Sequence, residues 1–222
     1  MKLRQAKKQN HALTLLDVLA VMVIIVILVA MFLPVSSSGK KGLKIVCTNH
    51  LKQIGLAERI WAGDHGDLYP QDVSVTNGGT REIFTDGSPF KNLASLDFMT
   101  LSNELVTPQI LHCPTDTTSF AATNFSPQFC NQNVSYFVGL DANKAFPPTL
   151  ISGDGNFEIN GVPVNSGLLE FTTNPPISWT KTRHNPTGNI LLGDGSVQGV
   201  TTSGLRTAKQ ETTLATNRLV IP

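Results

Sequence analysis

The chain has 222 residues, a formal net charge of +1 and a charged fraction of 15%, with 18 glycines and 13 prolines. Its length suits one or two domains, and its glycine and proline content favours a loop-rich β domain over a helical bundle. The first 12 residues hold four of the 17 basic side chains and no acidic one, so the remainder has a net charge of −3. Charge therefore excludes nucleic-acid binding through the usual basic surface.

The N-terminal segment combines a basic leader at 1–12 with an apolar stretch at 13–35. As a helix, this stretch would span about 34 Å, close to the thickness of a bilayer core. The basic leader favours the cytoplasm, which places the rest of the chain outside the membrane. Asp17 is the one ionisable residue of the stretch. A carboxylate in a membrane helix costs about 2–3 kcal/mol, which indicates a functional role.

Two plainer interpretations of this segment stay open. A signal anchor accounts for the basic leader and the apolar stretch. A secretory signal peptide is also compatible, because Ser36 and Ser38 supply small residues for a cleavage site. Neither interpretation assigns a role to Asp17.

An amphipathic continuation of the helix is predicted at 36–63, after a weak point at Pro34. Its apolar residues recur at spacings of four and three. They are Leu43, Cys47, Leu51, Ile54, Ala57 and Trp61. Gly63 and the polar residues at 64–67 predict the end of the helix. We expect the apolar stripe to pack on a globular domain at 64–222.

Short apolar runs between turn signals predict a β-rich domain. We expect a short helix within 93–105, a strand at 134–140, hairpins at 157–164 and 190–200, a helix at 203–214 capped by Ser203, and a last strand at 219–221. Asn160-Gly161 and Asp194-Gly195 mark the hairpin turns, for which type I′ is the usual geometry. The predicted fold class is α+β: a long helix, with a transmembrane half and an amphipathic half, packed on an antiparallel sheet.

Motifs that would carry zinc or enzyme chemistry are lacking in the sequence. Cys47, Cys113 and Cys130 suit one disulfide and one free thiol in an exported chain, and none lies in a Cys-x-x-Cys pair, which disfavours zinc. There is no Gly-x-Ser-x-Gly, His-Glu-x-x-His or Walker-type loop. We therefore expect no enzyme activity.

The segment Ala12-Leu13-Thr14-Leu15-Leu16-Asp17 resembles the cleavage motif of type IV prepilins, in which Gly precedes Phe-Thr-Leu-Ile-Glu. The resemblance implies cleavage between Ala12 and Leu13 and N-methylation of Leu13. Pro34 falls where pilins often carry a proline that loosens the helix. Ala12, Leu13 and Asp17 replace the usual Gly, Phe and Glu. Between neighbouring helices of a filament, Asp17 would neutralise the new amine of Leu13 and set the helix register.

Four downstream segments resemble a group of bacterial pilin-like proteins related to type IV pilins and to the pseudopilins of type II secretion. They are Cys47-Thr-Asn-His-Leu-Lys-Gln, Ala62-Gly-Asp-His-Gly-Asp-Leu-Tyr-Pro70, His112-Cys-Pro-Thr-Asp116, and His184 followed after nine residues by Asp194-Gly195, the "H-X9-DG" signature. The resemblance implies a pilin-like fold. It also implies a disulfide between Cys47 and Cys113, which both lie in these motifs; the alternative pair is Cys113 and Cys130.

Two further expectations concern polar residues of these motifs. Major pseudopilins carry calcium in their C-terminal domain, which makes Asp154 and Asp194 calcium candidates, although ordinary turn chemistry also explains both. No other cofactor is expected. We expect His184 to make a structural hydrogen bond to a backbone group across the hairpin.

The function expected from the resemblance is that of a structural subunit, a pilin or pseudopilin. It would cross the bacterial inner membrane once, with its N terminus in the cytoplasm and its domain outside, and then join a type IV pilus-like or type II secretion filament. Its partners would be a prepilin peptidase, an inner-membrane assembly platform, a motor ATPase and copies of itself, without nucleic acid. The alternative is a membrane-anchored extracytoplasmic binding or hydrolytic domain that keeps its leader.

Overall fold

The computed structural model describes residues 15–32, 39–172 and 177–222. The chain divides between Gly39 and Lys40 into two compact units. The first contains helix α1, Leu15–Phe32. The second contains all but the first residue of helix α2, Gly39–Asp64, together with the β-rich domain.

Helix α1 has 18 residues, and Asp17 lies in its first turn. Residues 15–30 are exposed along its whole circumference. The predicted membrane span at 13–35 extends past α1 at both ends, and its outer residues, with Pro34, lie outside the described ranges. Within those ranges, no helix combines the length and the apolar character needed to cross a membrane.

Helix α2 carries the predicted apolar stripe on its buried face. Five of the six predicted residues are buried: Cys47, Leu51, Ile54, Ala57 and Trp61. Leu43 is the exception, with 38% of its surface exposed. The helix ends at Asp64, close to the predicted end. Gly66 and Asp67 follow with φ of +69° and +63°, and the Asp67 N–H donates to the Ala62 carbonyl, which closes the helix end.

The domain contains nine strands and three short α-helices in its described part, besides four single-turn 3-10 helices. The strands are β1 Tyr136–Gly139, β2 Leu150–Asp154, β3 Phe157–Ile159, β4 Val162–Pro163, β5 Gly167–Thr172, β6 Ile177–Trp179, β7 Thr187–Leu192, β8 Val197–Thr201 and β9 Thr216–Ile221. The helices are α3 Ala94–Thr100, α4 Ser102–Leu105 and α5 Thr202–Glu211.

The strands form two antiparallel sheets. Six of them have the order β5-β9-β1-β2-β7-β8, and the other three have the order β4-β3-β6. Every pairing is antiparallel. The α+β class with an antiparallel sheet is therefore confirmed.

Two hydrophobic cores cover the two faces of the six-stranded sheet. In β1, Tyr136 and Val138 enter the core that contains the stripe of α2, while Phe137 enters the core formed with the small sheet and α5. In β7, Leu191 faces the first core, while Ile190 faces the second. This alternation follows from the two-residue period of a strand. Because both faces are covered, β1 and β2 at the centre of the sheet are buried throughout.

Most of the predicted β elements are confirmed. The strand at 134–140 is β1, the hairpins at 157–164 and 190–200 are β3–β4 and β7–β8, and the strand at 219–221 is the end of β9. The short helix predicted within 93–105 is confirmed as α3, and a second short helix, α4, follows it after Leu101.

Two local predictions are wrong in detail. The helix at 203–214 is α5, but its cap is Thr201, whose hydroxyl accepts from the Gly204 N–H, rather than Ser203. Asn160 and Gly161 both have positive φ, as a type I′ turn requires. At 194–195, by contrast, Gly195 alone has a positive φ, so type I′ is wrong for that turn.

Candidate functional site

The residues predicted for processing are only partly within the described structure. Ala12, Leu13 and Pro34 lie outside the described residues. Asp17 is exposed in the first turn of α1, among apolar side chains that are also exposed. A negative charge in the first turn of a helix is stabilised by the helix dipole, because the N-terminal end of a helix carries a partial positive charge.

Helix α2 has a second apolar face, opposite the buried stripe. Ile45, Leu56 and Ile60 are 61%, 60% and 49% exposed. At about 100° per residue, these three positions fall within roughly 60° around the helix axis. The sequence pattern of the buried stripe did not reveal this face, because its members are fewer and are separated by polar residues. Exposed Asn49 lies in the same sector, so this side of α2 carries three large apolar side chains among polar ones.

A disulfide between Cys47 and Cys113 joins α2 to the loop before β1. This is the pair that the motifs imply, and Cys130 is an exposed free cysteine. The Cα atoms of the bridged pair are 5.3 Å apart. The bridge therefore fixes the N-terminal half of the buried stripe against the domain.

His184, the first residue of the H-X9-DG signature, points into the protein beside this disulfide. Its side chain is 1% exposed. Nε2 lies 3.5 Å from Cys113 Sγ and 3.4 Å from Asp154 Oδ2. The predicted hydrogen bond to a backbone group across the hairpin is wrong, since the neighbours of Nε2 are these two side chains. A buried imidazole cannot reach a substrate in this conformation, which argues against its use as a surface base.

Asp154, at the end of β2, is held from the neighbouring strand. Its Oδ2 accepts hydrogen bonds from the backbone N–H of Asn189 at 2.7 Å and from its Nδ2 at 2.9 Å. Asn189 in turn accepts a hydrogen bond from the Thr48 hydroxyl at 3.2 Å. The carboxylate thus joins β2, β7 and α2. This role was not predicted, because it depends on strand pairing between distant segments.

Asp194 and Gly195, the second part of the signature, lie elsewhere. In the β2–β7 pair, Leu150 faces Leu192 and Gly153 faces Ile190. Asp154 and Asp194 therefore lie near opposite ends of this pair, about 15 Å apart at the usual rise per residue. They cannot share one calcium ion, whose oxygen ligands lie at about 2.3–2.6 Å. Asp194 instead accepts from the Ser196 N–H within its own turn.

A buried ion pair lies next to His184 in the chain. Arg183 Nη2 is 2.5 Å from Asp116 Oδ2, and its Nη1 donates to the Ser135 carbonyl at 2.6 Å. Burial alone would raise the pKa of Asp116, but the Arg183 guanidinium and hydrogen bonds from Thr118 and Ser119 outweigh it and lower that pKa to about 2. Asp116 belongs to the Cys-Pro-x-Asp segment, so the pair joins two of the signature regions.

A pair of buried acids, which the sequence analysis did not identify, lies between α2 and α3. Burial, and secondarily the charge of Asp97, raises the pKa of Glu58 well above its usual value. Burial raises the pKa of Asp97 to about 6, although a hydrogen bond from Thr80 acts to lower it. Glu58 stands on the stripe, four residues after Ile54 and three before Trp61, and this position is the signal that could have identified it.

This acid pair predicts how stability depends on pH. Unfolded carboxyl groups titrate near pH 4, so above that value the folded chain holds protons that the unfolded chain has lost. The contribution of the pair to the free energy of unfolding is therefore greatest at low pH and is lost as the pH rises through the raised folded values. We expect the pair to make the domain more stable towards urea at pH 5 than at pH 7, while the lowered pKa values of the half-buried His50 and His112 act in the opposite direction.

The matched control for this prediction is the chain with Glu58→Gln and Asp97→Asn, which keeps the shape of both side chains. Its urea midpoint should fall less between pH 5 and pH 7 than that of the wild type. Equal changes in the two proteins would contradict the assignment.

A cleft of about 720 Å³ opens beside the small sheet. Its lining includes Asn156, Trp179 and Arg183. Asn156 Oδ1 and Trp179 Nε1 are buried and have no hydrogen-bond partner within the described residues. The volume lies in the range typical of small-molecule sites.

Comparison with known proteins adds no relative. No protein-family model matches the chain, and neither the curated proteins nor the solved structures provide a match. The functional conclusion therefore depends on the residues and their geometry.

Proposed function

We propose that the chain is a pilin-like structural subunit, a pilin or pseudopilin, that assembles into a type IV pilus-like or type II secretion filament. The observation that carries the proposal is the second apolar face of α2, formed by Ile45, Leu56 and Ile60. One side of this helix packs on the domain, and the other side is available to another helix. A filament subunit needs one side of this helix to hold its own domain and the other side to contact a neighbouring helix in the filament core.

Helix α1 supports the same proposal. Its exposed residues are apolar around the whole circumference, apart from Asp17. A helix of this kind requires an apolar environment, either lipid or other helices. In a filament, the helices exchange lipid for one another, and the association depends on close packing and on satisfied polar groups.

The role of Asp17 in this proposal is electrostatic. Cleavage between Ala12 and Leu13 by a prepilin peptidase would create a new amine at Leu13, N-methylated and positively charged. Burying a charge without a partner is costly, so an amine and a carboxylate from neighbouring subunits favour the one register that joins them. Self-association through the N-terminal helix would follow this register.

The proposed location is the bacterial inner membrane, with a single pass, the N terminus in the cytoplasm and the domain outside. The span would need the whole of 13–35, of which the structure describes the 18 residues of α1. An inner-membrane assembly platform and a motor ATPase would move the processed subunit into the filament.

Mass spectrometry of the mature chain tests the processing step directly. The expected N terminus is a methylated Leu13. An intact Met1, or a first residue after the apolar stretch such as Gly39, would contradict the proposal.

Asp17→Ala tests the assembly step, and we expect it to reduce filament yield at least tenfold while leaving cleavage intact. The matched control is Asp17→Glu, which keeps the charge and should assemble. Electron microscopy of sheared filaments and immunoblotting of the cell fraction provide the two measurements. Wild-type filament yield from Asp17→Ala would refute the charge-pairing step.

The second candidate is a membrane-anchored extracytoplasmic binding or hydrolytic domain. The cleft beside the small sheet favours it, because its volume lies in the range of small-molecule sites and Asn156, Trp179 and Arg183 line it. This candidate keeps its leader, so the mass measured at the N terminus distinguishes it from the filament subunit.

A further inference from the structure

Three potential metal ligands meet in the buried cluster around His184, and a fourth, Asp154, lies at its edge. The two sulfur atoms of Cys47 and Cys113 and a ring nitrogen of His184 all lie within 4.8 Å of one another. Asp154 Oδ2 is 3.4 Å from His184 Nε2. Thiolate, imidazole and carboxylate are the groups that bind zinc in proteins, and four of them complete a closed structural site.

Two of the observed distances suit a tetrahedral ion. With zinc bonds of about 2.3 Å to sulfur and 2.0–2.2 Å to nitrogen or oxygen, neighbouring ligand atoms lie roughly 3.3–3.8 Å apart. His184 Nε2 is already 3.5 Å from Cys113 Sγ and 3.4 Å from Asp154 Oδ2. Two features do not fit: the sulfurs are bonded to each other, and Asp154 lies outside the set of ligand atoms within 4.8 Å of one another, so its side chain would have to move towards the sulfurs. The Cα atoms of the two cysteines are 5.3 Å apart, so rotation of Cys47 about its Cα–Cβ bond would separate the sulfurs without moving the backbone.

The surroundings of Asp154 also suit a ligand. Asn189 donates two hydrogen bonds to Oδ2 and orients the carboxylate, as outer partners of metal ligands commonly do. The other oxygen, Oδ1, is buried and has no hydrogen-bond partner in the part of the chain that the structure describes. A buried carboxylate oxygen without a donor is uncommon, and a water molecule or a cation is what commonly satisfies it.

We propose that reduction of the Cys47–Cys113 disulfide creates a zinc site formed by Cys47, Cys113, His184 and Asp154. A dithiol reductant supplies two electrons and two protons: the S–S bond breaks, two thiols form, and the dithiol becomes a disulfide. Binding of Zn²⁺ then displaces the two thiol protons, because the thiolate is the ligand. A chain cannot hold the disulfide and the zinc ion at the same time, because both use the sulfur atoms of Cys47 and Cys113.

Both forms would make the same connection. The disulfide covalently joins α2 to the loop at Cys113, and zinc would join them through coordination. Thiols stay reduced in the cytosol and are oxidised outside it, so the zinc form belongs to the chain before oxidation. Lys181, Thr182 and Pro186 are exposed, so His184 lies on a surface segment whose displacement would open a route for the ion.

The test uses the full chain, reduced with a phosphine and freed of reductant without oxygen. We expect one Zn²⁺ per chain by elemental analysis. We also expect cobalt in its place to show the sulfur-to-metal charge-transfer and d–d absorption of a tetrahedral thiolate site. His184→Ala and Asp154→Asn should each weaken zinc affinity at least tenfold, and the oxidised chain should not bind zinc at this position.

Cys130→Ser is the matched control, because Cys130 is exposed and free, and it should bind zinc as the wild type does. Near-ultraviolet circular dichroism from Trp61 and Trp179 reports whether the reduced chain is folded with zinc. The proposal is overturned if the reduced chain binds no zinc, or if zinc fails to support the native signal. It is also overturned if binding is unaffected by His184→Ala, or if it requires Cys130, as in an unfolded chain.

Discussion

Replacing Cys47 and Cys113 together by serine is expected to lower the free energy of unfolding by about 4 kcal/mol. The two residues are 66 positions apart, so their bridge restricts a long loop of the unfolded chain. Both are buried, and two hydroxyl groups would replace the apolar sulfurs in the core around α2. Urea unfolding of the oxidised chain, followed by tryptophan fluorescence, measures the loss.

Cys130→Ser is the control for this prediction. Cys130 is exposed and makes no disulfide, so its replacement should change the free energy of unfolding by less than about 0.5 kcal/mol. Peptide mapping without reduction adds a direct check of connectivity. A crosslinked peptide that joins Cys113 to Cys130 would contradict the prediction, as would a large loss of stability in Cys130→Ser.

Replacing Arg183 by methionine is expected to cost about 3–5 kcal/mol, the usual result of removing one partner of a buried ion pair. The side chains of Arg183 and Asp116 are 11% and 2% exposed, so little water can replace the guanidinium. The Ser135 carbonyl would also lose a donor. Urea unfolding at pH 7 measures the change.

The pH dependence separates this charge effect from a packing defect. Asp116 has a folded pKa lowered to about 2, so it contributes stability above the unfolded value near pH 4. That contribution is lost as the pH falls through the folded value. Arg183→Met should therefore lose most stability at pH 7 and less at pH 3. Adding Asp116→Asn should restore part of the loss, because the uncompensated charge is gone. A loss that is the same at both pH values would identify packing as the cause.

Comparison of the central strands shows where sequence patterns stop being informative. β1 has aromatic and β-branched residues between turn signals, and it was predicted. β2 reads Leu-Ile-Ser-Gly-Asp and has every residue buried, so it lacks the alternation that marks a strand with one wet face. β5 pairs with β9, and β6 pairs with β3. In neither pair are the two strands consecutive in the chain. Pairing of this kind depends on tertiary contacts rather than on local preference.

The same division holds for the candidate site. Spacing alone identified Cys47 and the other buried residues of the stripe, because one face of a helix repeats every three or four residues. The signature residues His184 and Asp194 were recognised as a pair, yet the structure separates them. The antiparallel register places Asp154 beside His184 and leaves Asp194 in a turn at the other end of β7. No sequence pattern could give that register.

Local sequence patterns were enough to predict the apolar helix with its early acid, the buried stripe of α2, and the hairpins with glycine-containing turns. These features follow from local periodicity and from the backbone freedom of glycine, which act within a few residues. Three features became visible only in the folded chain: both faces of the sheet are covered, Glu58 and Asp97 are buried together, and His184 lies beside the disulfide and Asp154. Those contacts join segments tens of residues apart, and only the packing of whole elements brings them within bonding distance.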